Sequence, residues 1–290
     1  MPLQLWVSVI QIGCFFGLIA LGYYLVLEGA DFFNFALGPF AMFSGLASSW
    51  FVTRQGWPLA AAILLGVGCA VTLAVLTELL VIRPVEARSH GGELPAIVAV
   101  VAVLFTVEQL GGTLFGRKLL PGQAWAPGLS VSLGPVTIAG QTVVLAGVTL
   151  AAFVLVWAWM RGTRYGRILR AVGSNRDAAR TLGMPVFKVR LAAFAMAGLI
   201  AGVAGPLFSP YAGVSFQLAL TWALYGFLAL VIGGTGSIWA PLAGGLVLGV
   251  IQILVPYFFG SAVLDYAILA VALLFFAVRP GGLFVRRVRI

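Results

Sequence analysis

Long apolar runs, separated by short charged or Gly/Pro-rich breaks, dominate this chain. The hydrocarbon core of a bilayer is about 30 Å thick and takes about 20 apolar residues per helical crossing. A β-barrel strand would alternate apolar and polar residues, whereas a run such as 143–160 is apolar on every side. The pattern therefore predicts an all-α polytopic membrane protein with about eight to nine transmembrane helices, near residues 5–27, 32–52, 57–82, 95–115, 141–160, 191–208, 214–233, 239–257 and 262–278.

The run at 32–52 gives the weakest helical signal because its beginning is broken. Gly29, Asp31 and Asn34 stand around its start, and Gly38-Pro39 follows within a few residues. Glycine and proline both disfavour the interior of a helix. Part of this run is therefore predicted to be a short or re-entrant helix, which would leave eight crossings.

Composition agrees with a membrane protein. The 290 residues are 62% hydrophobic and 9% charged, whereas soluble domains carry about 25% charged residues. The crossings use up the length, so we expect a single transmembrane domain over residues 1–290 with no separate catalytic domain. The first charged residue is Glu28; without a basic region before the first apolar run, a cleaved signal peptide is not expected.

The distribution of lysine and arginine predicts the orientation in the membrane. Residues 161–190 hold eight basic side chains against the single acid Asp177, and four arginines follow Ala277. Both segments are predicted to be cytoplasmic. Counting back places 83–94 inside and 116–140 outside, with the amino terminus outside if all nine runs cross. The net charge of +9 is explained by this basic face, which suits anionic membrane lipid rather than nucleic acid.

No catalytic or metal site is indicated. His90 is the only histidine, and Cys14 and Cys69 each lie inside an apolar run, where a thiol behaves as a small apolar group. These residues do not have the spacing of metal ligands. We therefore expect no cofactor in this chain.

The first polar stretch, residues 21–39, interrupts the apolar pattern at the start of the second run. Helix breakers at membrane depth are tolerated where protein or a water-filled cavity satisfies the freed backbone groups. A polar substrate route provides such a place, so we predict that Tyr24, Asn34 and Gly38 line one. Glu28 and Asp31 fit equally well in a short loop at the membrane surface.

The second stretch, residues 164–185, predicts a short helix between two crossings. Ser174 or Asn175 can cap its start, Asp177 lies in its first turn, and Gly183 followed by Pro185 ends it. A mere connection needs only a few residues, whereas the loop at 161–190 has about thirty. We therefore expect a docking element here.

The third stretch, residues 231–245, is rich in glycine. No GK[ST] follows it and no strand precedes it, so it is not a phosphate-binding loop and would not bind ATP. We predict instead a tight turn between two crossings and close packing of helices. The residues assigned to these roles are Gly233, Gly234, Gly236, Ser237, Gly244 and Gly245.

In this order, the stretches resemble the LivH-type inner-membrane permeases of ABC importers for branched-chain amino acids. The resemblance covers nearly the whole chain. It rests on Gly22-Tyr23, Asn34-Phe35-Ala36 with Gly38, Glu78 with Arg83-Pro84, residues 164–167, Asp177-Ala178-Ala179 with Gly183, residues 197–202, and the glycine-rich residues 233–245.

The resemblance also implies how such a subunit is driven. Asp177-Ala178-Ala179-x-x-x-Gly183 is similar to the EAA loop of importer permeases, with aspartate where glutamate is usual. By that resemblance, Arg176, Asp177, Ala178, Ala179 and Gly183 would contact an ATPase subunit. The implied partners are a second permease subunit (LivM-type or a second copy), two cytoplasmic ATPase subunits that bind ATP, and a periplasmic or surface binding protein, all at the bacterial inner membrane.

Two departures from the family pattern bear on which substrate is transported. Leu37 stands where relatives often carry histidine before the glycine, and residues 28–31 are more acidic than the usual turn. Such permeases are associated with leucine-type amino acids, urea, amides or aromatic acids, and the quoted motifs do not separate these.

Two other classes of membrane protein are alternatives to an ABC importer permease. An ion-coupled secondary transporter would need ionisable residues within its crossings; the candidates are Glu78, Glu108 and Asp265, of which Glu108 is expected to lie deepest. A membrane enzyme would need nucleophiles or acid–base pairs, and the chain offers few of them.

Overall fold

A computed structural model of the protein describes residues 4–30, 33–89, 93–133, 136–174, 176–278 and 282–284. Helices account for most of the described chain. They are α1 (Gln4–Ala30), α2 (Leu37–Gln55), α3 (Leu59–Leu76), α4 (Arg83–Arg88), α5 (Glu93–Phe115), α6 (Gly140–Gly162), α7 (Arg164–Ser174), α8 (Arg176–Thr181), α9 (Val186–Ala212), α10 (Leu218–Gly233), α11 (Ala240–Phe259) and α12 (Leu264–Val278). A π-helix (Thr77–Ile82) joins α3 to α4, and a 3₁₀ turn (Ser261–Val263) precedes α12.

Each of the nine apolar runs contains a helix, but their lengths differ. Six helices of the described chain are long and apolar enough to cross a membrane; they begin at Gln4, Leu59, Leu94, Gly140, Val186 and Ala240. The others are α2, with a late start, and the shorter α10 and α12. The structure therefore supports a multi-pass membrane protein, whereas the predicted count of eight to nine crossings is not confirmed.

Helix α1 lies at the centre of the bundle. It packs against α11, α9, α10 and α6, and every residue from Gly13 to Val26 is buried. Small residues allow this close packing in a membrane, where lipid is as apolar as the side chains. A Cβ at Gly17 would lie 3.2 Å from Leu242 Cδ1 of α11, so the glycines of α1 set the short distance between these two helices.

Hydrogen bonds join α1, α6 and α9 at one end of the bundle. Gln11 Nε2 donates to Thr142 Oγ1 (2.8 Å), and Tyr211 OH donates to the same oxygen (3.2 Å). Gln141 Nε2 donates to the carbonyl oxygen of Leu207 (2.7 Å). The start of α6 and the end of α9 therefore lie together, at the face predicted to be extracellular.

The opposite end carries the basic loop. Helix α7 buries Leu169 and Val172 and exposes Arg164 and Arg167, as expected for an amphipathic helix at a membrane surface. It packs against α1 so closely that a Cβ at Gly173 would overlap the carbonyl oxygen of residue 28. The end of α1 thus lies at the face predicted to be cytoplasmic.

The connection between α5 and α6 contains a short β-hairpin in an otherwise helical fold. Strands β1 (Ser130–Leu133) and β2 (Val136–Ala139) form an antiparallel hairpin with Val131 opposite Ile138. Val131 on one side of a Gly-Pro pair and the β-branched residues 136–138 on the other favour this structure. The hairpin lies outside the apolar runs, so the crossings themselves remain helical.

Candidate functional site

A break in the helical structure at residues 33–36, just before α2, holds a buried polar side chain. Helix α1 ends at Ala30 and helix resumes at Leu37. The Asn34 side chain is completely buried, and its Oδ1 accepts a hydrogen bond from the Ala36 N–H (3.0 Å). Its Nδ2 is buried without a hydrogen-bond partner among the described residues. A buried amide donor is thus held ready for another acceptor.

Helix α10 lies directly against this break. Phe33 and Phe35 pack on Phe227, with ring centroids 5.2 and 5.0 Å away. Gly38 lies so near Ala223 that a Cβ would overlap the Ala223 backbone nitrogen. The start of α2 is therefore fixed against α10, and only glycine fits at position 38 without a shift.

Tyr24 occupies a different place from Asn34 and Gly38. It lines a cavity of about 180 Å³ at the end of α1 predicted to be cytoplasmic, together with Glu28 and side chains of α6 and α7. Neither Asn34 nor Gly38 contributes to this lining. The three residues assigned to the substrate route thus fall into two locations.

The predicted docking element is a short helix, α8, which ends two residues before Gly183. Gly183 has φ +69°, the left-handed conformation that favours glycine after a helix. The backbone of Arg176 and Asp177 starts α8, but their side chains, Asn175 and the side chain of the proposed cap Ser174 lie outside the described residues. Asp31 and His90 also lie outside them.

The two alanines of α8 point to different sides. Ala179 is buried against its own chain, whereas Ala178 is exposed. Leu182, which the sequence did not single out, is 74% exposed at the end of the helix. Ala178, Leu182 and Gly183 therefore form the accessible part of this segment.

The glycine-rich turn between α10 and α11 is paired with a segment near the carboxyl terminus. Gly236 N–H donates to the Phe284 carbonyl oxygen (2.8 Å), and Phe284 N–H donates to the Gly233 carbonyl oxygen (3.0 Å). Gly234 has φ +85°, so this turn also uses the left-handed conformation. The two segments hold each other in place at the end of the bundle predicted to be cytoplasmic.

Gly244 and Gly245 lie where α11 crosses two other helices. A Cβ at Gly244 would overlap the carbonyl oxygen of Ala229 in α10, and one at Gly245 would lie 2.6 Å from the Gly17 nitrogen of α1. Both positions therefore need a residue without a side chain.

A cluster of charges joins the first turns of α9 to the π-helix and α4. Arg190, in the first turns of α9, places Nε 2.7 Å from Glu78 Oε1 and Nη1 2.6 Å from Glu86 Oε2. Glu78 is on the π-helix and only 1% exposed. Arg83, its neighbour in sequence, instead lies over the Phe187 ring at 4.2 Å. Glu78 therefore has a charge partner, Arg190, inside the protein.

One face of α5 carries polar side chains that this chain does not cover. Thr106, Gln109 and Thr113 are exposed and line an open depression with Phe105 and Leu110. The threonine hydroxyls donate to carbonyl oxygens of the preceding turn, at 2.8 and 3.0 Å. Oε2 of the adjacent Glu108 is buried without a hydrogen-bond partner in the described part of the chain.

Comparison with known proteins identifies the family. The family described as branched-chain amino acid transport system / permease component matches residues 6–278. The high-affinity branched-chain amino acid transport system permease protein LivH of Escherichia coli (strain K12) is 26% identical over 97% of this chain and 94% of its own length.

Other matches cover less of the sequence or show the fold alone. The ribose import permease protein RbsC of Haemophilus influenzae is 28% identical over 53% of this chain and 50% of its own length. A chain of PsaBC from Streptococcus pneumoniae, solved in complex with Fab, superimposes with a TM-score of 0.53 at 16% identity and covers 96% of this chain and 94% of that one. The family match over residues 6–278 shows that this chain belongs to the branched-chain amino acid transport permeases, which are permease subunits of ABC importers.

Proposed function

We propose that this subunit forms part of the pathway by which a branched-chain amino acid crosses the bacterial inner membrane, driven by ATP hydrolysis in separate subunits. The observation that carries the proposal is the match to LivH over 97% of the chain, since the sugar permease matches over only 53%. ATP would be bound by the partner subunits, and this chain would need no cofactor.

The break at Asn34 supplies groups suited to such a substrate. The Asn34 amide offers a buried donor to the substrate carboxylate, and Phe33, Phe35 and Phe227 provide an apolar wall beside it. Gly38 lets α2 start close to α10. Tyr24 lies apart from these groups, at the cytoplasmic cavity, and is not included in the proposed binding site.

The uncovered face of α5 supports a second permease subunit, either LivM-type or a copy of this chain. Polar and ionisable side chains within a crossing almost always face protein or a water-filled cavity rather than lipid. Gln109 and Glu108 meet this condition if another permease packs against α5 and encloses an aqueous route between the two. The acidic group that suggested ion coupling is thereby accounted for, and the family match gives the ion-coupled alternative no support.

The exposed part of α8 would bind the ATPase. A short helix with the small residue Ala178 and the apolar Leu182 at its surface fits a groove in a partner protein. Arg176, Asp177 and Gly183 belong to the same segment, and Ala179 holds it against the rest of the chain. The remaining partners would be a second ATPase subunit and an external binding protein that delivers the substrate.

Substituting Asn34 tests the substrate route. In a complex that expresses and assembles normally, Asn34→Leu should reduce substrate uptake about tenfold or more, because a charge-assisted hydrogen bond to the substrate is lost. Uptake of labelled leucine over a range of concentrations measures this. Thr149→Val is the matched control, since Thr149 is equally buried and its hydroxyl donates to the Leu145 carbonyl oxygen within its own helix. Unchanged uptake and apparent affinity in Asn34→Leu would remove Asn34 from the route.

A further inference from the structure

The cytoplasmic cavity has a composition that the transport function does not explain. It lies among the end of α1, the end of α6, helix α7 and the turn before α11, and it holds about 180 Å³. Among the described residues, its wall contains two arginines, Arg161 and Arg170, and one acid, Glu28. The charged side chains therefore leave one net positive charge around the space.

Neither arginine has an acidic partner among the described residues. The ion pairs found there both involve Arg190. Arg170 Nε is buried and makes no hydrogen bond to the described part of the chain, although burying a guanidinium donor without a partner is costly. Arg161 instead rests over the Trp157 ring, 5.4 Å from its centroid. Both guanidinium groups can thus bind an added anion.

The turn before α11 adds hydroxyl groups to the same wall. Thr235 and Ser237 line the cavity. Ser237 Oγ accepts a hydrogen bond from the Trp239 N–H (3.3 Å), which leaves the hydroxyl proton available for another acceptor. Two arginines with hydroxyl donors form a suitable environment for a phosphate group.

The residues around the cavity favour a phosphate group that is part of a lipid. Trp157 and Trp239 are each 38% exposed, as tryptophans are at the level of lipid headgroups. Leu150, Val154, Trp157 and Arg161 recur at helical spacing on α6, and the first three are exposed. An acyl chain can therefore lie along the apolar part of this stripe while its headgroup reaches Arg161.

From this arrangement we infer that the cavity binds the phosphate of an anionic phospholipid from the cytoplasmic leaflet. Arg161 and Arg170 pair with the phosphate, Thr235 and Ser237 donate hydrogen bonds, and α6 supports an acyl chain. The site does not depend on the transported substrate, so it can be tested on the isolated subunit.

Native mass spectrometry of the detergent-purified full-length protein with added phosphatidylglycerol tests the site. The double variant Arg161→Gln/Arg170→Gln should bind one phosphatidylglycerol about 30-fold more weakly than the unmodified protein, from the loss of two arginine contacts. The control Arg164→Gln/Arg167→Gln removes the same charge from exposed positions outside the cavity and should bind as before. Arg161→Lys/Arg170→Lys should retain most of the binding.

Several results would overturn the assignment. Equal binding by the cavity variant and its control would show that the arginines hold no lipid. Displacement of the lipid by millimolar inorganic phosphate would show that the cavity binds a soluble anion. If the cavity variant lost ATPase co-purification but bound lipid as before, the arginines would instead contact a protein partner. If the glutamine variant does not fold, the unmodified protein still decides the question, because equal binding of phosphatidylglycerol and zwitterionic phosphatidylethanolamine would contradict an anionic lipid site.

Discussion

Replacing Arg190 by methionine should destabilise the protein by about 3–5 kcal/mol, the usual effect of removing one member of a buried ion pair. The substitution leaves Glu78, which is 1% exposed, without the guanidinium 2.7 Å away. It also removes the guanidinium nitrogen that lies 2.6 Å from Glu86 Oε2. The free energy of unfolding in mixed detergent–SDS micelles measures the change.

Lys188→Met provides the control for this prediction. Lys188 is exposed two residues earlier on α9, so its replacement removes the same charge without affecting a buried carboxylate. The triple variant Glu78→Gln/Glu86→Gln/Arg190→Met should recover part of the lost stability, since no buried charge remains unpaired. If Arg190→Met were as stable as Lys188→Met, the cluster would have no structural role.

The position of Arg190 also connects stability with coupling. Helix α9 begins five residues after α8 ends, and Arg190 fixes its first turns to the π-helix and α4. A displacement of α8 by an ATPase would therefore reach α3 as well as α9. Single-turn π-helices often occur at functional sites, which agrees with a role for this segment in the conformational change.

The second large effect is expected at the exposed surface of α8. Leu182→Asp should abolish co-purification of the ATPase and substrate-stimulated ATP hydrolysis, because a charge replaces an apolar side chain that is 74% exposed and would be buried in the partner. Gly183→Val should weaken both, since a β-branched residue is strained at φ +69°. Reconstituted complexes allow both quantities to be measured.

Tyr165→Asp is the matched control, because Tyr165 is 65% exposed on the neighbouring helix α7 but lies outside the proposed docking surface. Leu182→Asp should leave membrane insertion and elution unchanged, as the side chain makes little contact with its own chain. Normal ATPase binding and hydrolysis in Leu182→Asp and Gly183→Val would show that this segment only connects two helices and does not bind the ATPase.

The positions of the helices could be predicted from sequence because an apolar run of membrane-spanning length has few other structures available. The count of crossings could not, since it depends on where helices begin. Gly38 illustrates the reason. Its tendency to interrupt a helix is evident from the sequence, but its contact with Ala223 depends on how α2 packs against α10. The hairpin at Val131 and Ile138 was not predicted, because long apolar runs indicate the crossings but not the structure of the segments that connect them.

Contacts between distant residues account for most of what sequence did not reveal in the candidate site. Glu78 and Arg190 are far apart in the chain, so no local pattern in the sequence pairs them. Ala178 and Ala179 are adjacent residues of the same type, yet Ala178 is exposed and Ala179 is buried. Such differences arise from the rotation of each helix against its neighbours, which a single sequence with short polar stretches does not determine.

ATP-driven uptake of labelled leucine is the most direct test of the proposed function. Proteoliposomes would contain this subunit with its second permease subunit and ATPases, supplied with the cognate binding protein. The proposal predicts leucine accumulation that requires ATP inside, where the ATPases face, and that stops when the ATPase subunits are omitted. Accumulation driven by a proton or sodium gradient without ATPase subunits would contradict it.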